Sequence, residues 1–130
     1  AHLGLTPQSV HKIGGFKVQG REKKAAEQIV ADALLLQEAG AQLLVIECVP
    51  SSLGKLLAQT LNIPVIGIGA GPDTDAQILV LYDMLGISPA FPRFSKNFLP
   101  DSDSVLMALQ QYAEQVRGGA FPAAEHCFSE

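Results

Sequence analysis

Gln42-Leu43-Leu44-Val45-Ile46 is an unbroken run of strand length, preceded by Gly40-Ala41 and followed by Glu47-Cys48-Val49-Pro50. Apolar residues here do not alternate with polar ones, which is the pattern of a strand buried on both faces in a helix-covered parallel sheet. The neighbouring segments fit that reading. Ser51 to Leu61 reads as a helix, with Ser51 or Ser52 expected as its N-cap. Ile63-Pro64-Val65-Ile66-Gly67-Ile68 reads as the next strand, with Pro64 tolerated near its start. On the N-terminal side, Ala26, Ile29, Val30, Ala33 and Leu36 recur at spacings of three and four between Arg21 and Ala39, which predicts an amphipathic helix that Gly40 ends. Before it lies a long loop, Thr6 to Gly20, holding Pro7, Gly14, Gly15 and Gly20. Loops of this length inside a domain are usually functional. Leu3-Gly4-Leu5 reads as the end of an earlier strand whose beginning is absent.

Beyond the second strand, Gly69-Ala70-Gly71-Pro72 marks a turn. A helix is expected from Thr74 or Asp75 through Leu85, with Ile78, Leu79, Tyr82 and Leu85 on one side and Asp73 and Asp75 as caps. The Pro- and Phe-rich stretch through Pro100 reads as an ordered loop with a short strand over Ala90 to Phe94. A last helix is expected from Ser102 or Asp103 to Arg117, stopped by Gly118-Gly119, and Phe121 to Glu130 is a tail. This alternation is that of an α/β fold built on parallel strands. Fewer than four complete strands are legible, which fits half of an eight-unit barrel or a small open sheet, and a start in mid-strand favours the half-barrel.

At 130 residues and 13.8 kDa the chain is expected to form part of one domain, residues 1–130, and 48% hydrophobic against 17% charged residues excludes a disordered chain. No stretch approaches the ~18 apolar residues of a membrane span. The net charge of −4 argues against a general nucleic-acid binder. It is unevenly spread: Lys12, Lys17, Arg21, Lys23 and Lys24 face Glu22 alone in the first 24 residues, a surplus that suits an anionic partner or simply a solvated loop. Two cysteines, Cys48 and Cys127, fit a reducing, cytoplasmic setting.

Glu47 is the strongest candidate for chemistry. It follows a buried strand at the end where parallel α/β proteins place their active sites. Partial desolvation there raises a carboxylate's pKa and suits it to act as a base near neutral pH. The structural alternative is a Glu paired with a lysine or capping backbone N–H groups. His2 lies on the preceding strand and is expected at the same mouth, or else as a satisfied core residue. His11 and His126 read as surface residues, and no spacing of ligands supplies a metal site. Gly67-Ile68-Gly69-Ala70-Gly71 matches the dinucleotide fingerprint only loosely; it suits a phosphate cradle at a helix N-terminus or a tight strand-to-helix turn. Cys48 has no activating neighbour in sequence and reads as a buried, inert thiol.

Ala1-His2-Leu3-Gly4-Leu5-Thr6-Pro7-Gln8-Ser9, Gly14-Gly15-Phe16-Lys17-Val18-Gln19-Gly20-Arg21, Glu47-Cys48-Val49-Pro50 and Ile63 to Gly71 together resemble the ketopantoate hydroxymethyltransferase family, in order and from the first residue to the tail. The resemblance implies a (β/α)8 TIM barrel of which this chain is roughly strands five to eight. It implies transfer of a one-carbon unit from 5,10-methylenetetrahydrofolate to 3-methyl-2-oxobutanoate, giving 2-dehydropantoate in pantothenate synthesis. It also implies a Mg2+ ion chelated by the keto acid, with protein ligands in the N-terminal half, and a homo-oligomer, a decamer. Glu47 matches the family's proton acceptor, and His2 its active-site histidine, with substrate binding as the assigned role. The sequence departs from the family at Ala1, where Gly is common, and at Thr74-Asp75-Ala76-Gln77, where a Cys-Asp-Gly-Gln-like pattern is common. Lys12, Lys17 and Arg21 suit the glutamyl tail of the folate. Two other readings stay open: a different barrel enzyme using Gly69 to Gly71 as a phosphate cradle, and a non-catalytic half-barrel that associates through its strand edges with a partner chain.

Overall fold

Four parallel strands lie side by side in the order β1 (His2–Gly4), β2 (Leu44–Glu47), β3 (Val65–Ile68) and β4 (Ala76–Gln77). The structure, a computed structural model, describes residues 1–129. The register sets His2 beside Val45 and Gly4 beside Glu47, and then Val45 beside Ile66 and Glu47 beside Ile68. Helix α1 (Lys23–Glu38) crosses from β1 to β2 and α2 (Ser51–Thr60) from β2 to β3. β2 starts one residue into the apolar run Leu43 to Ile46, where Leu44 N donates to Pro64 O at 2.9 Å, and it runs on to include Glu47, which pairs with Ile68.

The two faces of the sheet differ. Leu44, Ile46 and Val65 are buried and pack with Ala33 of α1 and with Leu53 and Leu57 of α2, forming the main core. The alternate positions His2, Val45, Glu47 and Ile66 share the opposite face and are only half-buried. A second core joins Met84, Leu85, Phe98, Ala108 and Phe121 around helix α4 (Val105–Arg117), where the rings of Phe98, Tyr112 and Phe121 meet edge to face. Tyr112 ties this core to the sheet by donating to Gln77 O at 3.0 Å.

Several expectations are corrected. No helix spans Thr74 to Leu85; β4 and the single turn α3 (Leu81–Met84) take its place. Asp75 does not cap a helix: its N–H donates to Val65 O at 2.9 Å and its Oδ2 accepts from Val65 N at 2.8 Å, which pins the segment against β3. Asp73 instead pairs with Lys55 at 3.7 Å. Ala90 to Phe94 forms bends and a turn rather than a strand, since Pro89 and Pro92 bring no N–H to a ladder. The N-cap of α2 is Pro50 rather than Ser51 or Ser52; the Ser51 N–H donates to Phe128 O at 3.0 Å, so the tail covers this helix start. α4 begins at Val105 with Ser104 as its cap, because the Ser102 hydroxyl is turned to Phe98 O at 2.8 Å. His126 is buried, not on the surface: it stacks on Phe121 at 4.9 Å between ring centroids, and its Nδ1 accepts from Ala123 N at 3.1 Å. Burial pushes its pKa down. Glu130, the end of the expected tail, lies outside the described residues.

Candidate active site

β1 and β2 converge most closely where they end. Leu5 N donates to Glu47 O at 2.8 Å, and a Cβ on Gly4 would lie 2.2 Å from that same oxygen, so only glycine permits the approach. The next residue, Cys48, has φ +53°, a left-handed conformation uncommon outside glycine. Its N–H donates to Ile68 O at 2.8 Å and its carbonyl accepts from Gln19 N at 2.9 Å. The backbone on both sides of Glu47 is therefore held by β1, by β3 and by the long loop.

The Glu47 side chain is 14% exposed and that of His2 30%, with His2 Nε2 3.0 Å from Glu47 Oε2. The one-strand separation seen in the sequence does bring the two together. Burial pushes the Glu47 pKa above the ordinary glutamate value, and the charge and hydrogen-bonding group of His2 pull it part of the way back. His2 Nε2 is buried and, although at ion-pair distance, makes no well-directed hydrogen bond. The site thus offers a desolvated carboxylate beside an imidazole nitrogen. Cys48 is buried, and burial together with the neighbouring Glu47 charge pushes its thiol up to about 11. That agrees with an inert role.

Glu47 opens into a cavity of about 580 Å³ lined also by Leu5, Val18, Cys48, Phe94 and Phe128. A groove of similar size, about 600 Å³, runs between α1 and α2 on the helix-covered side of the sheet and contains neither Glu47 nor His2. Of the glycines from Gly67 to Gly71, Gly69 abuts a wall of the first cavity. A Cβ on Gly69 would meet the Phe94 ring at 2.6 Å, and one on Gly67 would meet Thr74 Oγ1 at 2.7 Å. No helix follows Gly71 before Leu81, so this segment is neither a phosphate cradle at a helix N-terminus nor a strand-to-helix turn. Gly69 lets Phe94 close on the end of β3, while Gly67 makes room for Thr74 and Gly71 for Ser51. His11 is exposed, as expected.

One lining residue was not singled out from the sequence. Asp83, 6% exposed, reaches the same cavity from α3 and accepts from the hydroxyls of Ser88 and, at 3.4 Å, Ser95. The available signal was a carboxylate inside the apolar stretch Ile78 to Leu85.

Known proteins resemble this chain along nearly its whole length. The family model described as ketopantoate hydroxymethyltransferase matches residues 1–124. A 3-methyl-2-oxobutanoate hydroxymethyltransferase of Alteromonas mediterranea is 61% identical over 128 residues, 98% of this chain and 48% of the relative. Proteins of the same name from Alkalilimnicola ehrlichii and Shewanella loihica are 60% and 58% identical, covering 98% and 99% of this chain and 47% and 49% of their own lengths. The chain spans about half the length of the curated relatives it matches. With a match over nearly its whole length, the chain belongs to the ketopantoate hydroxymethyltransferase family.

Proposed function

We propose that this chain supplies the proton acceptor of a hydroxymethyltransferase that moves a one-carbon unit from 5,10-methylenetetrahydrofolate to 3-methyl-2-oxobutanoate, forming 2-dehydropantoate on the way to pantothenate. The observation that carries the reading is Glu47: a desolvated carboxylate with raised pKa, beside His2, at the C-terminal edge of a parallel sheet and open to an apolar cavity. The Glu47 carboxylate takes the proton from C3 of the keto acid, and the electrons of that C–H bond become the enolate. One C–N bond of the methylene bridge breaks as the enolate carbon bonds to the methylene carbon, and the second breaks as water supplies the hydroxyl; the two freed folate nitrogens take up the proton held by Glu47 and the proton released by that water. His2, whose Nε2 lies 3.0 Å from Glu47 Oε2, orients the keto acid beside the base.

Mg2+ prefers six oxygen ligands in near-ideal octahedral geometry. The described residues bring no three His, Cys, Asp or Glu side chains together. Glu47 is engaged by His2 and Asp83 by two serines, so these residues do not fit that ion by themselves. Its protein ligands would come from outside them.

In this reading residues 1–130 are the second half of a single (β/α)8 barrel, strands five to eight. The half-buried face of His2, Val45, Glu47 and Ile66 would be closed by the remaining strands. The enzyme works in the cytoplasm as a homo-oligomer, a decamer, with small molecules as its substrates. The loop that presents Phe16 and Val18 to the cavity also carries exposed Lys12 and Lys17, with Arg21 following it, and these meet the folate's glutamyl tail. Lys17→Glu should raise the KM for polyglutamylated folate, and an unchanged KM would remove that contact. The function itself is tested by Glu47→Gln in the purified natural polypeptide. Turnover should be lost with keto-acid binding retained, whereas full activity would take Glu47 out of the mechanism.

A further inference from the structure

Two carboxylates line the cavity, and they are built for different work. Glu47 faces a histidine. Asp83 is nearly inaccessible, receives only the neutral hydroxyls of Ser88 and Ser95, and has no cationic partner among the described residues. A buried carboxylate without a countercharge is costly unless charge-assisted donors reach it, and two hydroxyl bonds leave part of its roughly four acceptor sites unfilled. The cavity is rich in aromatic residues: Phe16, Phe91, Phe94 and Phe128 all line it, with Phe16 and Phe91 largely exposed. At about 580 Å³ the space is of the size that takes a small organic ligand.

Flat apolar walls and, beside Glu47 with its histidine and Arg93, the Asp83 acceptor suit a planar heterocycle with two adjacent N–H donors on one edge. We propose that Asp83 is the recognition residue for such an edge, the 2-amino and N3–H groups of the pterin ring of the folate co-substrate, with the phenylalanines packing on its faces. This rests on the folate reading above and adds the residue that binds the ring. In this role Asp83 is a specificity residue that moves no proton. Ser88 and Ser95, on the segment that follows α3, hold its carboxylate in place.

The test is calorimetric titration of the purified natural polypeptide with 5-formyltetrahydrofolate, an unreactive folate, and with its 2-desamino-2-methyl analogue, which lacks one donor. The wild type should bind the parent about 10- to 100-fold more tightly than the analogue, the scale of a hydrogen bond to a charged group. Asp83→Asn should abolish that preference while the affinity for 3-methyl-2-oxobutanoate is unchanged. Equal wild-type affinity for parent and analogue, within about twofold, overturns the proposal, and that comparison needs no variant to fold. A preference that survives in Asp83→Asn also overturns it. Because the titration reads binding alone, a protein that discriminates as expected but makes no 2-dehydropantoate contradicts the proposed reaction and leaves this assignment standing. One that turns over without discriminating contradicts this assignment only.

Discussion

Replacing Gly4 by alanine should damage both stability and catalysis, for a reason that is local to Glu47. Gly4 sits at φ +82°, and an added Cβ would lie 2.2 Å from Glu47 O, 3.1 Å from Glu47 C and 3.1 Å from Val49 Cγ1. The first distance is about 1 Å short of an ordinary carbon-to-oxygen contact. The left-handed conformation costs alanine about 1–2 kcal/mol, the strained Leu5 N to Glu47 O hydrogen bond about 1 kcal/mol, and overpacking about 1–3 kcal/mol more. The expected loss is about 3–6 kcal/mol, a large part of the ~5–15 kcal/mol that holds a domain together. Gly40 supplies the control, since it has φ +99° with nothing within 4 Å, so Gly40→Ala pays the conformational cost alone. Urea unfolding of both variants isolates the clash. Catalysis should fall about 100-fold in Gly4→Ala, because relieving the contact moves Glu47 by about 1 Å. The reasoning is refuted if Gly4→Ala is no less stable than Gly40→Ala and keeps the wild-type kcat.

Other outcomes follow from the same geometry. The acid limb of kcat/KM should lie above the ordinary glutamate range, because burial raises the Glu47 pKa. A carboxylate whose folded pKa is raised lends stability that is present below its unfolded pKa and lost as pH rises through the folded one. Glu47→Gln should therefore gain stability relative to wild type from pH 4 to pH 8, and urea titrations showing a flat or opposite trend would reject a raised pKa. His2→Asn should lower kcat about 100-fold and move the acid limb to higher pH, because His2 holds the Glu47 pKa down; an unmoved limb would show that the two groups do not interact. With its thiol at about 11 against an ordinary 9.0, Cys48 should alkylate about 100-fold more slowly than a free cysteine at pH 8. Rapid labelling in the folded protein, followed by peptide mapping, would contradict that burial.

The sheet and its first two helices were legible because their signals are local. Leu43 to Ile46 and Val65 to Ile68 are continuous apolar runs bounded by Gly and Pro, and the period of α1 is unbroken. Glu47 was legible for the same reason, as the polar residue that ends such a run, and His2 was expected at the same mouth; their contact is diagonal, because the register sets His2 beside Val45. β4 was missed because Ile78, Leu79, Tyr82 and Leu85 have helical spacing, while the interaction that decides the segment is Asp75 with Val65, ten residues away. His126 looked like a tail residue because nothing nearby in sequence signals the Phe121 ring that buries it. Asp83 acquires meaning only when Ser88 and Ser95 fold back onto it. What escaped the sequence was in each case a contact that exists only after the chain has packed.

The central claim is that Glu47 removes the C3 proton of the keto acid, and isotope exchange reads that step without the folate. The purified natural polypeptide is incubated with 3-methyl-2-oxobutanoate in D2O, and loss of the C3–H signal is followed by NMR. The account predicts rapid exchange by the wild type and a fall of about 100- to 10,000-fold in Glu47→Gln, the range ascribed to a positioned base. Exchange by Glu47→Gln at the wild-type rate would place the proton acceptor elsewhere and contradict the account.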